Sequence, residues 1–141
     1  MKLSVVILNW NGRRHLERYL PSVVEHTSGD AEVIVADNGS TDDSLQWLRL
    51  NYPDVGVIRL DRNYGFAGGY NRALKEVDSE YVLLLNSDVE VTAGWWQPLV
   101  DVLKVTCLKV NAYPATCYTG VGICALVVNA NYVTAKVGND L

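Results

Sequence analysis

Long apolar runs, a basic stripe and paired cysteines are all missing from this sequence. The longest apolar runs are short, "VVIL" at 5–8 and "GICALVV" at 122–128, whereas a bilayer-spanning helix takes about 20 consecutive residues. No transmembrane segment is expected. The start, "MKLSVVILNWNG", has too short an apolar run for a signal peptide and no small-residue cleavage site after it, so it reads as a first strand. Cys107, Cys117 and Cys124 are odd in number and show no CxxC spacing. They suggest neither a zinc site nor a disulfide framework, but reduced thiols in a cytoplasmic protein. The formal net charge is −4, with acids and bases mixed through the first two thirds of the chain. That offers no stripe for nucleic acid and no polybasic membrane patch. The expected location is the cytoplasm, including the cytoplasmic face of a membrane.

What is present is a chain of 141 residues with 49% apolar content, enough to bury one sizeable core. Residues 3–8, 31–36, 55–60 and 81–85 are short runs rich in Val, Ile and Leu, as suits strands buried on both faces of a parallel sheet. Helical spacing fills the gaps. Leu16, Tyr19, Leu20, Val23 and Val24 share one face. Leu45, Leu48 and Tyr52 follow the cap candidates Ser40 and Thr41, and Phe66, Tyr70, Leu74 and Val77 repeat in a third segment. Four strands alternating with three helices predict an α/β domain built from βαβ crossovers.

In such sheets ligands bind beyond the carboxyl ends of the strands. Strand one ends in Asn9, Trp10, Asn11 and Gly12, and strand two in Asp37, Asn38, Gly39 and Ser40. The loop after strand three carries Asn63 and Gly65, and strand four ends in Asn86, Ser87 and Asp88. A carboxylate at the end of "YVLLLNSDVEV" can supply one oxygen to Mg2+, which typically takes one or two protein carboxylates and fills its other positions with substrate phosphates and water. Asn, Ser and Asp also bond readily to local backbone, so spacing alone leaves a metal ligand and a plain turn both open. Asp37 is not needed as a cap and can accept a hydrogen bond from a base or ribose, with a turn aspartate as the alternative. Asp42 and Asp43 suit the start of the next helix, where they complement its dipole.

"NYGFAGGYN" places glycines around a helix start, permitting close backbone approach or positive φ. A dinucleotide fingerprint belongs after the first strand, and this glycine cluster follows the third. His15 and His26 read as solvated helix residues. Trp95 and Trp96 read as packing.

Taken together, "VVILNWNG", "VIVADNGSTDDS", "NYGFAGGYNRAL" and "YVLLLNSDVEVTAGWW" resemble the N-terminal half of family 2 glycosyltransferases, particularly the bacterial rhamnosyltransferase-like branch. The resemblance covers residues 3 to about 104. It implies a mostly parallel sheet of the GT-A, nucleotide-diphospho-sugar transferase type. It also implies transfer of a sugar from a UDP- or dTDP-sugar to a glycan or lipid-linked acceptor, with inversion and with Mn2+ or Mg2+ as cofactor. Asp88 would be the metal ligand in the family's DxD-type position, Asp37 would meet the base, and Asn9 and Asn11 would line the nucleoside pocket. Asn63 and Gly65 lie on the same donor edge. Asn86 departs from the usual first aspartate, which keeps a ribose contact and removes one negative charge. The different-class alternative is a non-catalytic nucleotide-sugar-binding module.

Residues 105–141 change character. Only Lys109, Lys136 and Asp140 are charged there, and all three cysteines fall in this stretch. They are expected to be a divergent, truncated or frame-shifted end, leaving the GT-A sheet incomplete. An incomplete sheet exposes an edge, which predicts a homo-oligomer with residues 105–141 at the contact.

Overall fold

In the computed structural model, residues 3–101 and the backbone of 125–129 are described. The elements run β1 (Leu3–Asn9), α1 (Arg13–His26), β2 (Ala31–Asp37), α2 (Ser44–Asn51), β3 (Gly56–Arg59), α3 (Gly65–Ala73), a 3-10 turn (Leu74–Glu76), β4 (Tyr81–Leu85) and β5 (Ala125–Asn129). The expected strands and helices are all found. The sheet order is β3-β2-β1-β4-β5. The first four strands are parallel, Leu3 standing beside Ala31 on one side and Tyr81 on the other. β5 runs antiparallel to β4, with Tyr81 opposite Asn129.

Successive strand residues face opposite sides, so the sheet has two apolar faces. Leu3, Val5, Ile7, Val33, Val35, Leu83 and Leu85 pack with Leu16, Leu20 and Val23 of α1 and Leu48 of α2. Val6, Ile34, Ala36, Ile58 and Val82 pack on the other side with Tyr70, Ala73 and Leu74. Helices on both faces explain why the strands read as continuous apolar runs. Trp96 is buried in the first cluster, and the half-buried Trp95 donates its indole N–H to Thr27 Oγ1 at 3.3 Å. Both tryptophans pack, as expected.

Three sequence expectations need correction or restriction. Ser40 and Thr41 do not cap α2. The helix starts at Ser44, and the Ser44 N–H donates to Asp42 Oδ1 at 3.1 Å, while Ser40 Oγ accepts from distant partners on β1 and the loop after it. Phe66 is not a core residue of the third helix: it sits in the first turn and is 67% exposed. The change of character expected over 105–141, with its cysteines and its role in self-contact, lies outside the described residues except for β5. That strand covers the β4 edge.

Candidate functional site

Parallel strands bring their carboxyl ends to one edge. From β1 the chain steps outward to β2 and β3, then returns to place β4 on the other side of β1. The order therefore reverses between β1 and β4, the position where sheets of this kind leave a crevice for ligands. Asn9 to Asn11 stand on one side of that position and Asn86 to Asp88 on the other.

The β1–β2 side is tightly bonded. Asn9 is 1% exposed, and its amide donates to Asp37 Oδ1 (3.1 Å), Ser40 Oγ (3.2 Å) and Ser44 Oγ (3.1 Å). Asp37 is 0% exposed, and its other oxygen accepts the Ser40 N–H at 3.0 Å. Burying a carboxylate costs free energy unless donors meet it, and these two bonds supply them. Asn9 Oδ1 is buried without a hydrogen-bond partner among the described residues, and a Cβ at Gly12 would stand 2.4 Å from it, so residue 12 has room for no side chain.

Asn11 joins the same turns from outside. Its backbone takes φ 49°, and its Oδ1 accepts the N–H groups of Thr41 (2.7 Å) and Asp42 (3.3 Å). Asp42 accepts the Arg13 N–H at 3.2 Å as well as that of Ser44. Burial alone would raise its carboxyl pKa, but the Ser44 hydroxyl and backbone bonds and the Arg13 bond outweigh it and hold the group below the ordinary carboxylate value. A cavity of about 360 Å3 lies against these turns, lined by Asn11, Arg14, His15, Asp42 and Asp43 among others.

Asn38 ties in the loop after β3. Its Nδ2 donates to Asn63 Oδ1 and to the Gly65 carbonyl, each at 3.0 Å, and its Oδ1 accepts the Tyr64 N–H at 3.0 Å. Gly39 takes φ 73°, and a Cβ there would come within 2.5 Å of the Arg62 backbone, so the two loops touch through glycine. Asn63 closes its own turn by accepting the Gly65 N–H at 2.7 Å.

The end of β4 is different. Asn86 and Ser87 are half-buried, Asp88 is exposed, and among the described residues no hydrogen bond joins the three to the β1–β2 network. No group of three or more His, Cys, Asp or Glu among the described residues is placed to hold a metal by itself. The donors at 86–88 are nonetheless all hard oxygens, one of them an exposed carboxylate. That set fits a Mg2+- or Mn2+-sized cation taking its remaining ligands from phosphates and water.

Of the residues singled out from sequence, Asn9, Asn11 and Asp37 thus share one network, Asn63 and Gly65 reach it through Asn38, and Asn86 and Asp88 stand past the end of β4 on the other side of β1. Asn38, Ser40 and Ser44 were not assigned such roles. The signal for Asn38 was its place in "DNGS", where Asn readily bonds backbone. Ser44 offered none beyond its polarity.

The family model of Glycosyl transferase family 2 matches residues 4–119. An uncharacterized glycosyltransferase of Nostoc sp. is 35% identical over 109 residues, covering 75% of this chain and 34% of that protein. N-acetylglucosaminyl-diphospho-decaprenol L-rhamnosyltransferase of Mycobacterium tuberculosis is 30% identical over 110 residues, 70% of this chain and 36% of that one. GalNAc(5)-diNAcBac-PP-undecaprenol beta-1,3-glucosyltransferase of Campylobacter jejuni is 32% identical over 97 residues, 66% of this chain and 31% of that one. The chain thus spans about a third of the length of these curated relatives. Among solved structures, S. aureus TarS in complex with UDP-GlcNAc superposes with TM-score 0.68 at 21% identity, over 96% of this chain and 47% of that one. The Pyrobaculum calidifontis mannosyltransferase PcManGT, in complex with GDP-Man and Mn2+, gives TM-score 0.61 at 23% identity, over 81% of this chain and 34% of that one. The likeness to these structures gives the chain, with its four parallel strands, the GT-A fold, and the family match over residues 4–119 places it in glycosyl transferase family 2.

Proposed function

We propose that this chain binds a nucleotide diphosphate-sugar, UDP- or dTDP-linked, across the carboxyl ends of β1, β2 and β4, and serves transfer of that sugar with inversion to a glycan or lipid-linked acceptor. The observation that carries the reading is the exposed Asp88 just past β4, at the strand-order reversal beside β1, whose last residue Asn9 is bonded to Asp37 at the end of β2. Two relatives whose names contain a diphospho-decaprenol or a PP-undecaprenol support the acceptor class. The TarS complex with UDP-GlcNAc supports the donor class.

In this reading Asn9 and Asp37 form the floor of the nucleoside pocket, Asn11, Asn63 and Gly65 its rim, and Asn86 a ribose contact. Asp37 is fully buried, with one oxygen bonded to Asn9 and the other to the Ser40 N–H, so in this reading it holds the floor of the pocket in place. Asp88 would hold Mn2+ or Mg2+, and a bound cation would offset charge on the departing diphosphate. A carboxylate base beyond the donor crevice would take the acceptor's proton. Self-association through residues 105–141 belongs to the same proposal; a monomer throughout micromolar to submillimolar sedimentation runs would remove it. No helix among the described residues is long and apolar enough to cross a membrane.

Calorimetric titration of UDP, dTDP and GDP, each with Mn2+ and with chelator, tests the donor site. Saturable binding that strengthens with Mn2+ is expected, and absence of binding by all three would overturn the reading. Binding without turnover of UDP- or dTDP-sugars would reduce the chain to a nucleotide-sugar-binding module.

A further inference from the structure

Tyr70 stands where the two sides of the crevice part. Its ring is 3% exposed, packed in the core between α3 and the sheet and edge-on to Phe66 at 5.1 Å. Its hydroxyl donates to the Leu85 carbonyl at 3.0 Å and accepts the Leu8 N–H at 3.4 Å. Ile7 and Leu85 form the last paired position of β1 with β4. Beyond it β1 continues along β2 to Asn9, while β4 leaves the sheet at Asn86. The hydroxyl therefore bridges both strands at their fork, one residue before Asn9 on one branch and one before Asn86 on the other.

The neighbouring residue lets it reach that point. Gly69 lies so close to β1 that a Cβ would meet the Leu8 side chain and the Asn38 amide, each at 2.9 Å. The missing side chain lets α3 press onto the strand ends, bringing the Tyr70 hydroxyl to the backbone beneath.

We infer that Tyr70 is a positioning residue for the donor site: its hydroxyl fixes the angle at which the Asn86–Asp88 segment leaves the sheet, and hence where the Asp88 carboxylate meets a donor diphosphate. A buried hydroxyl needs partners wherever it lies, and here both are backbone groups, one from each of the two strands at the fork. Burial pushes the Tyr70 hydroxyl up to about 12, so it stays a donor at any working pH. This inference rests on the donor reading for its consequence, but its structural half can be tested without ligand.

The variant is Tyr70→Phe, which keeps the ring and removes only the hydroxyl. Leu74→Ala, in the same apolar cluster but with no polar side-chain group to bond the strands at the fork, controls for simple loss of stability. Amide exchange in the ligand-free chain should rise about tenfold or more at residues 86–88 in Tyr70→Phe relative to the rest of the sheet. Leu74→Ala should show no such local excess. The gain in UDP affinity on adding Mn2+ should also shrink about tenfold in Tyr70→Phe and persist in Leu74→Ala. Unchanged exchange at 86–88, or an undiminished Mn2+ gain, would overturn the inference. A parent chain with no Mn2+ gain would defeat the donor reading instead, and the exchange result would still decide whether Tyr70 holds the fork.

Discussion

Two carboxylates end two parallel strands of this sheet, and they live in opposite surroundings. Asp37, at the end of β2, is fully buried, with one oxygen bonded to Asn9 and the other to the Ser40 N–H. Asp88, three residues past β4, is exposed. A buried carboxylate with both oxygens bonded is part of the fold's own bonding; an exposed one keeps its charge and lone pairs open to solvent. The same residue type at the same kind of strand end is therefore tied into the fold in one place and left open to solvent in the other.

Removing Asp37 is the strongest way to break this comparison. In Asp37→Ala the Ser40 N–H loses its acceptor and the Asn9 amide loses one of three. With the cavity left behind, a loss of about 2 to 4 kcal/mol in folding stability is expected, read by urea unfolding. A loss below about 1 kcal/mol would mean that the network is dispensable and the wall is held by apolar packing alone.

Asp88→Asn should do the reverse. The swap is nearly isosteric at an exposed position, so unfolding should be unchanged. Nucleotide binding in Mn2+ should weaken by about 1.5 to 3 kcal/mol, or roughly ten- to more than a hundredfold. Equal affinities for parent and variant, given Mn2+-dependent binding by the parent, would make Asn86-Ser87-Asp88 an ordinary turn.

The sheet and the polar edge were legible in the sequence because strands covered on both faces must be apolar throughout, so the first polar residue after each run marks its carboxyl end. Asp37's burial was not legible. It depends on Asn9 and Ser44, which stand 28 residues before it and 7 after, and which meet only once β1 and α2 are in place. The misplaced cap has the same origin. Ser40 is a good local cap by type, but Asn9 and the Asn11 N–H, about thirty residues away, claim its hydroxyl. Phe66 misled for a geometric reason. It matches the helical period, yet it sits in the first turn of α3, where the side chain escapes the sheet. β5 went unread as a strand because its run lies far from the alternating pattern that identified the others.

Asp42 sharpens the contrast at intermediate strength. It is exposed but accepts N–H groups from Arg13 and Ser44, so it joins the starts of α1 and α2. Asp42→Asn should cost about 1 kcal/mol, an exposed site discounting the full value of charge-assisted bonds. The folded carboxyl sits below its ordinary 3.8, so its contribution is present above about pH 4 and fades as pH falls through the folded value. The variant's stability should accordingly fall less steeply below pH 4 than the parent's. Parallel acid limbs for the two proteins would remove Asp42 from the account.

Asp43 should have the smallest effect, and it controls for Asp88 and Asp42. It is the residue before α2, makes no side-chain cap bond, and meets Arg13 Nε only at 3.7 Å with its side chain 66% exposed. Such a pair is screened by water and constrains two long-range partners poorly, while the remaining favourable interaction with the helix start is small. Asp43→Asn should therefore change stability by less than about 1 kcal/mol, and nucleotide affinity not at all, with or without Mn2+. The comparison with Asp42 is the informative one, since the two acids adjoin in sequence and differ in what they bond. If Asp43→Asn costs as much as Asp42→Asn in urea unfolding, the negative charge of the segment matters rather than the bonds that Asp42 makes. If it weakens nucleotide binding only in the presence of Mn2+, the cation is held on the β2 side of the crevice, and Asp88 loses its place as the carboxylate that ligand meets.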